Sequence, residues 1–157
     1  MAASTMIAQA VQATAVLSAI LWLKVVVTNT GLGAAKMNAG TRPAEDTYQK
    51  NSTEATDDDK ANLDRSQRIV NNDLENIPYT MVLAWGSVYC IAFAGSNSNV
   101  DSSALAHIVL YTIFVAMRIA HSVVYMKGMS TARSIAWLFG VLCSFGIAIN
   151  GAVVSFK

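Results

Sequence analysis

The sequence predicts an all-α fold, a four-helix bundle embedded in a membrane, and three observations predict it. Hydrophobic residues make up 54% of the 157-residue chain and charged residues 13%, with a mean hydropathy of +0.40, too apolar for an ordinary soluble domain. Most charges gather between Thr41 and Glu75, whereas three long stretches carry almost none. Polar turn-forming runs, Gly95-Ser96-Asn97-Ser98-Asn99 and Lys127-Gly128, divide the later apolar stretches. The whole chain reads as one membrane domain, and its net charge of +1 offers no basic footprint for nucleic acid.

The first helix is expected over about residues 6–27, close to the twenty residues or so that cross a bilayer. Gln9, Gln12 and Thr14 are its polar exceptions. Lys24 is expected to snorkel to the interface beside Trp22. Met1 to Gln12 lacks the positive n-region of a signal peptide, and the apolar run outlasts a typical h-region. Residues of about 28–66 read as a loop, with Gly31, Gly33, Gly40 and Pro43 marking turns and Asp57-Asp58-Asp59 marking solvent exposure. A loop of that length either carries function or is partly mobile.

The second helix is expected over about 71–93, with Pro78 close enough to its start to be tolerated or to kink it mildly. The third, about 103–126, is apolar except for His107, Arg118 and His121. The fourth, about 134–154, is rich in small residues, among them Gly140, Ser144, Gly146 and Gly151, which let helix backbones approach closely. Cys90 and Cys143 lie in apolar surroundings without a CxxC or Cys/His partner, so they read as small buried hydrophobes and no metal site is expected. Trp22, Trp85 and Trp137 read as packing or interface anchors.

Four crossings place both termini on one side. The lysines and arginines from Lys24 through Arg133 gather on the long-loop side and only Lys157 lies opposite, so that loop is expected in the cytoplasm. The Asn51-Ser52-Thr53 sequon would then never meet its transferase.

This topology brings two polar faces together. Read as helical, Arg68, Asn72 and Glu75 stand at i, i+4 and i+7, and Arg118, His121 and Tyr125 repeat the pattern at i, i+3 and i+7. Arg133 and Ser134 open the fourth helix at the same depth. Arg118 is the sharpest of these signals: an arginine inside a membrane helix costs at least about 2.5 kcal/mol, so it must face protein or a polar cavity. Glu75 is its expected ion-pair partner. His121 is expected to line the same cavity, Tyr125 suits either the cavity or the interface, and His107 has no polar neighbour on its own face. Cations with an amide, a carboxylate and a phenol suit a small zwitterionic anion or peptide, since arginine grips carboxylates in a fork and Glu75 can receive an ammonium.

The stretches Arg68-x-x-Asn71-Asn72-Asp73-Leu74-Glu75-Asn76-Ile77, Arg118-Ile119-Ala120-His121-Ser122-Val123-Val124-Tyr125 and Arg133-Ser134, with Pro43-Ala44-Glu45-Asp46, resemble the MAPEG superfamily, membrane-associated proteins in eicosanoid and glutathione metabolism. The resemblance is to the branch that holds microsomal glutathione transferase 1 and microsomal prostaglandin E synthase 1. It implies a homotrimer of four-helix subunits that binds glutathione between protomers on the cytoplasmic side, in the endoplasmic reticulum or another organelle membrane in a eukaryote. Carried over by motif, Asn72, Glu75, His121 and Tyr125 would contact glutathione and Arg68 and Arg118 would support the site. Arg133, helped by the Ser134 hydroxyl, would hold the sulfur as a thiolate. The thiolate would attack a hydrophobic electrophile or a lipid hydroperoxide arriving from the bilayer.

Within that branch, Leu74-Glu75-Asn76-Ile77 reads like the transferase, whereas Asn71 and Trp137 depart from the prostaglandin synthase, where Arg and Tyr stand. Transferase and peroxidase chemistry is therefore preferred to prostaglandin E synthase-like isomerisation. A non-catalytic lipid-binding or structural membrane subunit is the remaining alternative, and the presence of both Arg133 and Ser134 speaks against it.

Overall fold

The computed structural model describes residues 5–46, 54–94 and 99–156, and the described residues form four helices. They are α1 (Thr5–Asn38), α2 (Asp57–Phe93), α3 (Val100–Met126) and α4 (Ser130–Ser155). The Asn51-Ser52-Thr53 sequon, most of the polar turn at 95–98, and Lys50 and Lys157 lie outside the described residues.

Helix α1 does not stop near Val27. It continues to Asn38 because its polar residues serve the helix: Asn29 Nδ2 donates to the Val25 carbonyl at 2.9 Å and Thr30 Oγ1 to the Val26 carbonyl at 2.8 Å. Gly31 and Gly33, expected in turns, lie inside it. The true stop is Gly40, whose φ of 62° only glycine adopts cheaply. There Gly40 N–H donates to the Met37 carbonyl at 3.2 Å and Thr41 N–H to the Lys36 carbonyl at 3.0 Å, a Schellman termination. At about 1.5 Å per residue, 34 residues reach roughly 51 Å, well past the ~30 Å hydrocarbon core.

Helix α2 likewise begins earlier than expected, at Asp57. The acidic run is not a loop but a first helical turn, where negative charge complements the helix dipole. Thr56 caps it through a capping box: its hydroxyl accepts from the Asp59 N–H at 3.2 Å, and Asp59 Oδ2 accepts from the Thr56 N–H at 3.1 Å. The expected loop of 28–66 is therefore helical over 28–38 and 57–66, and Pro78 lies mid-helix rather than near the start. Between α3 and α4, Gly128 at φ 71° repeats the Schellman geometry, with Gly128 N–H on the Tyr125 carbonyl and Met129 N–H on the Val124 carbonyl, each at 3.0 Å. The turn is so tight that α4 starts at Ser130, which puts Arg133 and Ser134 within its opening turns.

The helices α2 and α3 each pack against both α1 and α4. One apolar cluster joins Ala10, Val88, Ile91, Val100, Ala104 and Val154, the start of α1 and α3 with the end of α2 and α4. Consecutive helices thus alternate in direction. A second cluster around Leu21, Ile77, Tyr111, Phe114, Cys143 and Ile147 fills the middle. The small residues of α4 matter where expected: a Cβ on Gly151 would come within 2.8 Å of the Ser87 Cα, so only glycine lets α4 approach α2 there.

Large apolar side chains point outward, Trp22 at 66% exposure and Val82 at 73% among them, whereas Asp73, His107, Arg118 and His121 are buried. That is the reverse of a water-soluble core. By length and composition α1, α3 and α4 can each cross a membrane. Four crossings are expected from the sequence; three of the four helices meet that length and composition, and α2, whose first half is charged, packs against all of them.

Candidate functional site

On α2 the buried positions Ile69, Asp73 and Ile77 fall four residues apart, a stripe that is apolar except for one carboxylate. On α3 the buried stripe runs His107, Tyr111, Phe114, Arg118 and His121. Where the two stripes meet, Arg118 Nη2 lies 3.3 Å from Asp73 Oδ1 and also donates to Asn72 Oδ1. From α1, Lys24 Nζ donates to the same Asp73 oxygen and Thr28 Oγ1 lies 3.1 Å from Asp73 Oδ2.

At Arg118 and Lys24 the structure departs from what the sequence predicts. Arg118 pairs with Asp73, not with Glu75, because Glu75 is two positions further round α2 and stands exposed. Lys24 does not snorkel outward; its ammonium turns inward onto Asp73, which is 1% exposed and draws in a counter-ion. The clue in the sequence was Asp73 itself, a carboxylate at helical spacing on the Ile69-Ile77 stripe.

Next to this buried cluster opens a cleft of about 510 Å³ lined by Asn72, His121, Tyr125, Arg133, Ser134, Trp137 and Leu138. Five of the eight residues singled out in the sequence thus share one cavity, and Arg118 lies directly behind it on Asn72. The Arg133 guanidinium stands 4.6 Å over the Tyr125 ring, and His121 meets that ring edge-on at 5.7 Å between centroids. His121 is 2% exposed, and its Nδ1 has no hydrogen-bond partner among the described residues. Arg118 Nε is likewise unpartnered. Ser134 Oγ donates to the Ser130 carbonyl at 3.2 Å on the rim.

Arg68 and Glu75 are exposed on α2 and do not line the cleft, although Arg68 reaches the Tyr125 phenol at its edge. Arg68 Nε donates to Asp64 Oδ2 at 2.8 Å, and that carboxylate, with a smaller contribution from the Tyr125 phenol, pushes the guanidinium pKa above its usual value. Trp137 and Leu138 form the apolar wall of the cleft, a role composition alone did not single out.

His107, which has no polar neighbour on its own face of α3, is fully buried with Nε2 2.8 Å from Thr14 Oγ1 and Nδ1 3.3 Å from Ser87 Oγ. Its partners come from α1 and α2 rather than its own helix. With Ser18 Oγ 3.0 Å from the Tyr111 hydroxyl, it ties the far half of the bundle. Cys143 is buried and Cys90 half-buried. Among the described residues no group of three His, Cys, Asp or Glu side chains is placed to hold a metal ion.

A comparison with protein families matches the MAPEG family over residues 10–153, nearly the whole chain. The chain belongs to the MAPEG family. A comparison with curated proteins returns no match. Three long apolar helices inside a MAPEG domain make the chain an integral membrane protein. MAPEG proteins include glutathione transferases and related enzymes, and the MAPEG match takes in every residue that lines the cleft.

Proposed function

We propose that this MAPEG protein is a membrane-bound glutathione S-transferase, with glutathione peroxidase activity, that binds glutathione in the cleft between Asn72 and Arg133. The observation that carries the reading is the Arg133 guanidinium held over Tyr125 at the mouth of a cavity that also contains His121 and Asn72. A cation beside a thiol favours the thiolate, the nucleophilic form, and the Ser134 hydroxyl on the same rim can add a donor by turning from the Ser130 carbonyl. The unpartnered His121 Nδ1 offers a buried contact to the tripeptide.

In the transferase reaction the thiol proton passes to solvent, the thiolate sulfur forms a bond to the electrophilic carbon, and the leaving group departs with its electron pair. In the peroxidase reaction the sulfur attacks the peroxide oxygen, an alcohol leaves after protonation, and a second glutathione converts the sulfenic acid to disulfide and water. The apolar wall of Trp137 and Leu138 gives the hydrophobic substrate its approach from the bilayer.

Arg68 and Glu75, exposed on α2, support a site completed by a neighbouring copy in a homotrimer. The basic residues on the long-loop side support an orientation in which the cleft opens to the cytoplasm, and in a eukaryote the endoplasmic reticulum or another organelle membrane would host it. The reading is tested by titrating purified protein with glutathione and assaying turnover of a generic aryl halide and a lipid hydroperoxide. Saturable binding with turnover of either substrate is expected; absence of glutathione binding would end the proposal.

A further inference from the structure

The buried charges behind the cleft form a chain of contacts that ends on a residue of the cleft itself. Lys24 and Arg118 both meet Oδ1 of Asp73, Thr28 lies on Oδ2, and the same Arg118 nitrogen donates to Asn72 Oδ1. Asp73 and Arg118 are each 1% exposed, so neither of these two exchanges its partner for water. A guanidinium can only donate, so the Asn72 amide must turn its oxygen toward Arg118. The atom that Asn72 then offers to the cleft is Nδ2, a donor.

We propose that Lys24 and Asp73 are positioning residues: through Arg118 they hold the Asn72 amide with its N–H groups presented to the cleft, where they take a carbonyl or carboxylate oxygen of the peptide ligand. This rests on the glutathione reading above and adds two residues and one ligand atom class to it. Lys24 is needed because it shares the Asp73 oxygen. Without its ammonium, Arg118 is drawn fully onto Asp73 and lets go of Asn72. Two cations on one carboxylate also leave the cluster one positive charge in excess, which favours an anionic ligand next to it.

The test uses purified full-length protein, glutathione titrated calorimetrically, and steady-state kinetics with an aryl halide. Lys24→Met is expected to raise the glutathione Kd and KM roughly tenfold, while kcat at saturation stays within about twofold because Arg133 and Ser134 are untouched. Lys24→Arg restores the wild-type KM. Asn72→Asp keeps an acceptor for Arg118 but removes the donor, so glutathione binding weakens at least as much while the melting temperature is kept or raised. A purely structural Lys24 would lower the melting temperature and the active fraction and leave KM alone, and that result overturns the proposal. Should Lys24→Met fail to fold, Asn72→Asp decides alone, and wild-type affinity there overturns it too. Wild-type protein that binds no glutathione refutes both readings; wild-type binding with unchanged variants refutes only the positioning role.

Discussion

Asp73 and Arg118 meet 3.3 Å apart between α2 and α3, both almost fully buried, with the Lys24 ammonium on the same carboxylate oxygen. Removing the anion leaves two buried cations facing each other, a change that costs about 3–5 kcal/mol when one partner of a buried pair is lost. Asp73→Asn should therefore lower the thermal or denaturant midpoint of the detergent-solubilised protein strongly, whereas Glu75→Gln, on the exposed face, should leave it unchanged. Equal effects at the two positions would restore the pairing first expected from the sequence.

The approach of α4 to α2 depends on one missing side chain. A Cβ at Gly151 would meet the backbone Cα of Ser87 at 2.8 Å, and backbone cannot rotate away. Gly151→Ala should destabilise by about 1–3 kcal/mol, as overpacking does. Gly31, inside α1 with open space where its Cβ would be, should behave oppositely: Gly31→Ala is expected to stabilise by roughly 0.5–1 kcal/mol through helix propensity. Melting curves of the two variants check the pair, and a stabilised Gly151→Ala would show that the helices can separate freely.

How much of this was legible in the sequence depended on periodicity and on what lies across helices. The apolar stretches and their polar interruptions located all four helices, and the spacing of Arg118, His121 and Tyr125 placed them on one face because helical geometry is local. The ends of α1 and α2 were misread for a local reason too. Threonines, asparagines and aspartates resemble a loop until their hydrogen bonds to helix backbone are seen, as at Thr30 and in the Thr56 capping box. The partners of Arg118, Lys24 and His107 were out of reach because each contact joins different helices. Which of Asp73 and Glu75 faces inward turns on a rotation of α2 that depends on its neighbours.

The stack of Arg133 on Tyr125 makes a separable prediction. Tyr125→Phe keeps the ring under the guanidinium, while Tyr125→Ala removes it and frees the arginine. A cation–π contact near the surface contributes about 0.5–1 kcal/mol, so Tyr125→Ala should lose roughly two- to fivefold more kcat/KM than Tyr125→Phe does. Equal losses would mean that the phenol hydroxyl, not the ring, is what the site uses.

The most direct test is the ionisation of bound glutathione. At pH 7 a free thiol, with a pKa of about 8.5, is only a few per cent thiolate. Titrating the purified protein with glutathione at that pH should produce an ultraviolet thiolate band that saturates with binding, and Arg133→Ala should abolish most of the band while leaving the melting temperature nearly unchanged. Glutathione that binds without any thiolate band, or a band undiminished in Arg133→Ala, would contradict the account.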